Sequence, residues 1–227
     1  MLFLQVDTLQ NVALTGEEGE QVMSFLELAV KGGWIMIVLA VLSVIAVYIF
    51  IDRFIAIRKA SKEQKSFMEN IKNFILQGKV DQALDNCRMN EGPLARMIGK
   101  GVSRIGRPLG DVNAAVENVG KQEVAILEKG LPVLASIAGG APMIGFLGTV
   151  IGMVRAFYDM ASAGNNIDVT LLSNGIYTAM VTTVGGLIVG IIAYFGYNIL
   201  VARVNNLVAR LEAKTTEFMD ILNEPAK

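Results

Sequence analysis

Along this chain of 227 residues the apolar positions fall into two patterns. In three stretches, 32–51, 130–154 and 169–202, they run on without a charged side chain; elsewhere they recur every three or four residues between charged ones. A bilayer core is crossed by about 20 apolar residues of helix at 1.5 Å each. Each uninterrupted stretch therefore predicts a membrane-spanning helix, and the third, being longer than a straight span requires, predicts a tilt or a continuation into water. The periodic parts predict amphipathic helices. Phe67, Ile71, Phe74 and Ile75 mark one apolar stripe, Gly78 a stop, and Val80, Ala83, Leu84 and Cys87 a second stripe. Pro93 and Pro108 begin or separate further short helices, and residues 113–127 predict another with Ala115, Val119, Gln122 and Ile126 in register.

At the amino end, Val22, Phe25, Leu26, Ala29 and Val30 have helical spacing, with Glu20, Glu27 and Lys31 off that face. This fits either a short amphipathic helix on the membrane surface or an extension of the first spanning helix. No cleavable signal peptide is expected, because a basic start and a compact apolar core near the terminus are missing.

The spanning stretches differ in what they offer a neighbour. The first is rich in Leu, Ile and Val, with Trp34 and Tyr48 near its ends at the depths where interfacial aromatics sit, and is expected outermost, toward lipid. In the second, Gly145, Gly148, Gly152 and Ala156 fall three or four apart, a strip of nearly bare backbone where another helix can approach. Thr149 lies in that strip; Gly139, Gly140 and Pro142 precede it and are expected to loosen or kink the upstream turn. In the third, Gly175, Ala179, Thr182, Gly186, Gly190 and Ala193 repeat the spacing. A threonine in lipid commonly bonds back to a carbonyl one turn earlier and does nothing else, and small-residue faces commonly only pack.

Composition agrees with the pattern: 53% of residues are hydrophobic and only 18% charged, which suits an integral membrane protein better than a soluble domain. Of the twenty Lys and Arg, fourteen lie in 52–129, whereas residues 1–30 carry acids and no cation. The positive-inside rule then places the amino terminus outside and 52–129 in the cytoplasm. Residues 159–170 have two acids and no Lys or Arg, so that loop is expected outside; Arg155, the one cation near that face, either snorkels to the interface or, the preferred reading, pairs with Asp159 one turn on. The expected fold class is an all-α integral membrane protein with three transmembrane helices, long cytoplasmic helical extensions and the N-terminus outside. Its segments are a periplasmic tail and interfacial helix (1–31), transmembrane helices at 32–51, 130–158 and 173–202, a cytoplasmic helical domain (52–129), a periplasmic loop (159–172) and a cytoplasmic helical tail (203–227).

With no histidine and one cysteine, the chain lacks the commonest metal ligand and general base and cannot form an internal disulfide. No catalytic residue, metal or cofactor is expected, no basic aromatic-interleaved patch suggests nucleic acid, and Cys87 reads as packing. No Asp, Glu, Lys or Arg interrupts the three apolar stretches, so the chain alone has no titratable relay across the membrane. What remains there is hydroxyls, Thr149, Thr178, Thr182 and Thr183, which can hydrate an ion or meet a carboxylate from elsewhere.

Ala141-Pro142 followed by Gly145-Phe146-Leu147-Gly148-Thr149-Val150-Ile151-Gly152-Met153 resembles the signature of the MotA/TolQ/ExbB family of ion-channel proteins. The resemblance continues through residues 175–183, GIYTAMVTT, with Gly186-Leu187, and through Gly78, Ala83, Leu84, Cys87, Pro93, Leu94 and Ala95, which are similar to that family's cytoplasmic loop motif. The family pattern often has Asn just before Ala-Pro, where this chain has Gly139-Gly140, and some ExbB-type members carry Glu where this chain has Thr178, so that carboxylate's role does not transfer. The resemblance implies a homopentamer whose second and third spanning helices line a pore. A single-span partner of the ExbD/TolR/MotB type would insert an aspartate-bearing helix there, and Thr149, Thr183, Thr182 and Thr178 would line the pore. Gly145, Gly148, Gly152, Gly186 and Gly190 would pack the helices. By the same resemblance the chain would sit in a bacterial inner membrane and use the proton motive force, either with a TonB-like protein in outer-membrane transport or as a TolQ-like envelope-integrity subunit. A four-span flagellar stator fits the span count less well. A transporter permease subunit and a scaffold without an ion path are the readings from other classes; three spans and the lack of intramembrane charge count against the first.

Overall fold

The computed structural model describes residues 32–62, 66–162 and 169–223, and the amphipathic stretch at 20–30 lies outside them. Seven helices, and no strand, are found among the described residues: α1 (Trp34–Ala60), α2 (Phe67–Leu76), α3 (Val80–Met89), α4 (Pro93–Val102), α5 (Leu109–Glu128), α6 (Leu131–Ser162) and α7 (Val169–Asn223). Three apolar regions, within α1, α6 and α7, are long enough to cross a membrane, and the chain is an all-helical multi-pass membrane protein.

Helix α1 continues from its apolar run to Ala60, where Arg58 and Lys59 sit in a last turn whose free carbonyls favour cations. Helices α2 to α4 are ten-residue units joined by tight turns. Gly78 ends the first at φ +72°, a left-handed conformation that side chains with a Cβ rarely adopt, and Pro93 starts the third at a position where its missing N–H costs nothing. A second left-handed glycine, Gly130 at φ +87°, turns α5 into α6. Helix α6 runs unbroken through Gly139, Gly140 and Pro142. Helix α7 is the longest element at 55 residues, so the third apolar run and the charged tail are one rod. Helices α6 and α7 also reach into the expected 159–172 loop, to Ser162 and from Val169; of the sequence SAGNN at 162–166, whose composition predicts a turn, Ser162 is instead helical and the rest lies outside the described residues.

Helices α6 and α7 pack antiparallel, while α1 lies along both with its Leu, Ile and Val largely on the outer surface, as its composition predicts. Beyond the membrane region, α2, α4 and α5 pack against the far half of α7, and α3 packs on α2 and α4. Ile71, Ile98, Val102, Val112, Val116 and Phe218 are fully buried there. Gly101 leaves room for the Phe218 ring: a Cβ on Gly101 would stand 2.5 Å from it. The stripes of α2 and α3 face this core as their spacing predicts. Cys87 is buried in it, and burial pushes its thiol up to about 11.

The stripe of α5 is different from the expected one. Ala115 is buried, but Val119 is half-buried, and Gln122 and Ile126 face outward; the buried line is Val112, Ala115, Val116, Gly120, Glu123 and Leu127. The face is rotated because Glu123, a charge that pattern reading assigns to water, is held inside by Arg96 of α4. The Arg96 Nε and one terminal nitrogen donate to its two carboxylate oxygens at 2.5 and 2.6 Å.

Candidate functional site

The α6–α7 contact is built almost entirely from backbone and small side chains. A Cβ on Gly145 would stand 2.8 Å from the Thr182 carbonyl and 3.0 Å from the Gly186 Cα. A Cβ on Gly186 would stand 2.6 Å from the Ala141 carbonyl and 2.9 Å from the Gly145 Cα. Further along, Gly152 faces Ala179 and Gly175, Gly175 faces Ala156, and Gly190 faces the Pro142 ring and the Ala138 carbonyl. Gly148 lies against the Thr182 side chain. All five glycines read from the sequence as packing positions therefore lie in one seam. Such close approach maximises dispersion contact between helices, the attraction that remains where lipid removes any hydrophobic drive to associate.

Three hydroxyls cross the middle of this seam. Thr149 donates to the Phe146 carbonyl at 2.5 Å, and its oxygen lies 3.2 Å from that of Thr183 on the facing helix. Thr183 also reaches the Gly145 carbonyl at 3.3 Å. Thr182 is within bonding distance of the Ala179 carbonyl at 2.7 Å and the Gly145 carbonyl at 3.2 Å. Each hydroxyl has a single hydrogen. With Thr149 donating to Phe146 and Thr182 to Ala179, the Thr183 hydrogen goes to either Gly145 or Thr149. The hydrogens are committed, while oxygen lone pairs stay available. As arranged, the cluster can accept from a proton donor or solvate a cation without rearrangement, whereas an ionised carboxylate could bond to it only after a threonine released its carbonyl.

The four threonines do not share one environment. Thr149 and Thr183 are half-buried and open at the flank of the seam, and Thr178 is half-buried one turn from Thr182. Thr182 is only 2% exposed, closed in by α6 and by the start of α1, where a Cβ on Gly32 would lie 3.5 Å from its methyl. The structure thus brings Thr149 and Thr183 together as a pair and makes Thr182 a buried bridge behind them. No titratable side chain stands in the seam. At its end toward Ser162, Arg155 and Asp159 approach to 4.0 Å, the pairing preferred from their spacing, in an exposed position where such pairs contribute little.

Sequence reading missed residues that hold the seam in place from outside it. Arg53 donates to the Ile126 carbonyl at 3.0 Å, tying α1 to the end of α5. The Arg203 guanidinium stacks 4.3 Å over the Phe54 ring, tying α1 to α7. Hydrogen bonding to Glu123 raises the Arg96 pKa further above its usual value, against the lowering effect of burial. The signal for that pair was an acid falling four residues before Leu127 and three after Gly120, on the apolar side of α5.

Comparison with known proteins gives a consistent result. The MotA/TolQ/ExbB proton channel family matches residues 89–213, which include both faces of the seam. The chain is similar to the Tol-Pal system protein TolQ of Haemophilus influenzae, 27% identical over 90% of this chain and 96% of that protein. It is also similar to TolQ of Pseudomonas aeruginosa, 30% identical over 83% of this chain and 86% of that protein. An ExbB homolog of Methanothermobacter thermautotrophicus is 27% identical over 82% of this chain, which spans 66% of that protein's length.

Proposed function

The chain belongs to the MotA/TolQ/ExbB proton channel family, and from that premise we propose that it is an ion-channel motor subunit of a bacterial inner membrane. In this reading several copies, a pentamer by resemblance, surround a single-span partner of the ExbD type whose helix carries an aspartate. Proton entry driven by the proton motive force moves partner and ring relative to one another. The work serves TonB-dependent transport across the outer membrane. The Thr149–Thr183 pair is the observation that carries this. It is a cross-helix pair of hydroxyls with lone pairs to spare, on a seam flank, in a chain whose apolar runs hold no Asp, Glu, Lys, Arg or His. A pore built this way needs its titratable group from outside the chain, and the partner's aspartate would supply it. Thr182 then acts as a positioning residue behind the pair, and Thr178, one turn from Thr182 and about 140° around α7 from Thr183, lies off the pair's flank.

A TolQ-like role in envelope integrity is the second reading, favoured by the nearly end-to-end likeness to the Haemophilus protein. Both readings share the chemistry and differ in the partner served.

The test combines Thr149→Val and Thr183→Val with native mass spectrometry of the detergent-solubilised complex and proton flux in proteoliposomes. The expected outcome is an intact multi-copy ring that takes up partner chains, with flux reduced at least about tenfold, the loss typical of removing one positioned polar group. Unchanged flux in both variants would remove the threonines from the path. A monomer or dimer that ignores the partner would overturn the motor reading.

A further inference from the structure

We propose that the groove between α5 and the far half of α7 receives the basic, amphipathic cytoplasmic end of the single-span partner. The groove has a volume of about 970 Å³. Its floor is apolar, formed by Met97, Val124, Val208, Leu211 and Met219, and its rim carries Glu117, Glu128 and Glu212 against one cation, Lys121. All three acids are exposed, and none forms an ion pair among the described residues. An apolar trough with an acidic edge is complementary to a helix with one apolar and one basic face.

The location of the groove says where such a helix would come from. Taking 100° per residue from Thr182, which faces α6, Thr183 lies at about 100° around α7, and the α7 residues of the groove lie between about 20° and 160°. The buried Leu200, Val204, Leu211 and Phe218 all fall within about 40° of the Thr182 direction, so the register holds over that length. The groove therefore opens on the same flank of α7 as the Thr149–Thr183 pair, beginning at Val208, about 38 Å further along the rod. The charge-free runs extend about 30 Å from the threonines before Lys129 and Arg203, so a partner helix with its acid at the threonines meets water about there. About five further helical residues bring it into the groove. That end of a single span is the one the positive-inside rule loads with Lys and Arg. This inference rests on the partner of the proposed function, and on the groove independently of it.

The test uses the full chain in nonionic detergent and two fluorescein-labelled 18-residue probes, one of Leu and Lys in helical period and one with Glu in place of Lys. Each probe carries a benzophenone on its apolar face. The expected result is saturable binding of the Lys probe alone, adducts mapping to α5 and 208–219, and affinity lowered at least about tenfold by E117K/E128K/E212K. Thr216→Trp, which fills the groove without changing charge, should weaken binding as well, and circular dichroism confirms that each variant is folded. Equal binding to wild type and both variants, or no saturable binding, would overturn the proposal. So would burial of a Thr216→Cys thiol when copies assemble without any partner, because a second copy would then occupy the groove. Failure of the motor reading looks different: partner uptake is absent in the mass spectrum while the Lys probe still binds and crosslinks in the groove.

Discussion

Between Gly175 and Ala193, α7 meets its neighbour through glycine, alanine and threonine, while its large side chains, among them Met180, Val184, Leu187 and Ile191, point away. Between Leu200 and Ile221 the same helix turns Leu, Val and Phe inward and its charges outward. The two halves are packed by opposite rules because they sit in opposite solvents. In hydrocarbon an outward Leu loses nothing, so contact is gained by bringing backbones together and by hydroxyl bonds across the gap. In water the same Leu is worth burying, at about 1.5–3 kcal/mol for a full side chain. One continuous helix therefore carries two cores, one empty of side chains and one filled with them.

The largest effect should come from filling the empty core. Gly186→Val places new atoms against the Ala141 carbonyl and the Gly145 backbone, neither of which can swing aside. A loss above about 4 kcal/mol is expected, more than the usual overpacking cost because the obstacle is backbone, read as a lowered melting temperature and loss of the folded peak in detergent chromatography. Gly139→Ala, with no atom within 4 Å of the new methyl, should be neutral or stabilising by up to about 1 kcal/mol. Equal tolerance at both positions would dissolve the distinction. Emptying the filled core comes next: Phe218→Ala should cost about 4 kcal/mol and expose α4 and α5 to hydrogen exchange. Protection of 145–190 should persist; if it falls too, the two halves unfold as one unit.

The ion pair inside the soluble core sharpens the comparison, since among the described residues Glu123 is the one charge that core holds. Arg96→Met leaves Glu123, 8% exposed at its side chain, without its partner and should cost about 3 kcal/mol in chemical denaturation. Glu123→Gln, which frees a guanidinium already 55% exposed, should cost about 1 kcal/mol. Reversal of that order would mean that the buried member is not the one the pair protects. In the seam, Thr149→Val should change stability by less than about 1 kcal/mol, as cross-helix hydroxyl bonds in membranes do, while reducing flux.

The smallest effect is a pH dependence. Burial pushes the Cys87 thiol from 9.0 up to about 11, so the folded state holds that proton more tightly than the unfolded chain. Its contribution is full below pH 9 and declines as pH rises toward 11. At pH 8 the native thiol should react with a maleimide about 100-fold more slowly than in the unfolded chain, where the thiolate is that much more abundant.

Much of the fold was legible from sequence because hydrocarbon imposes a simple rule: uncharged runs of the right length must be helices. The small-residue spacing pointed to the seam for the same reason, since few other arrangements use Gly145, Gly148 and Gly152 in that order. Gly78 and Pro93 were readable because their backbones allow little else. The reading failed where one residue's setting depends on another far along the chain. Glu123 looked solvent-facing until Arg96, 27 positions away, was seen to reach it, and the α5 stripe was misplaced accordingly. Periodicity alone also could not separate Thr182 from Thr183. Adjacent positions on a helix differ by about 100°, and which one faces the gap depends on how α1 closes over the back.

The unbroken length of α7 has a mechanical meaning. It contains no proline, and from Thr183 to Phe218 it runs about 52 Å. A rod of that reach is a lever arm: a lean of about 5° near the threonine pair sweeps the Phe218 end through about 4–5 Å, roughly the pitch of one helical turn. Because Phe218 is lodged between Gly101 and Val116, that sweep would drag α4 and α5 with it, so a displacement too small to notice at the pore would arrive in the soluble half as a change of shape.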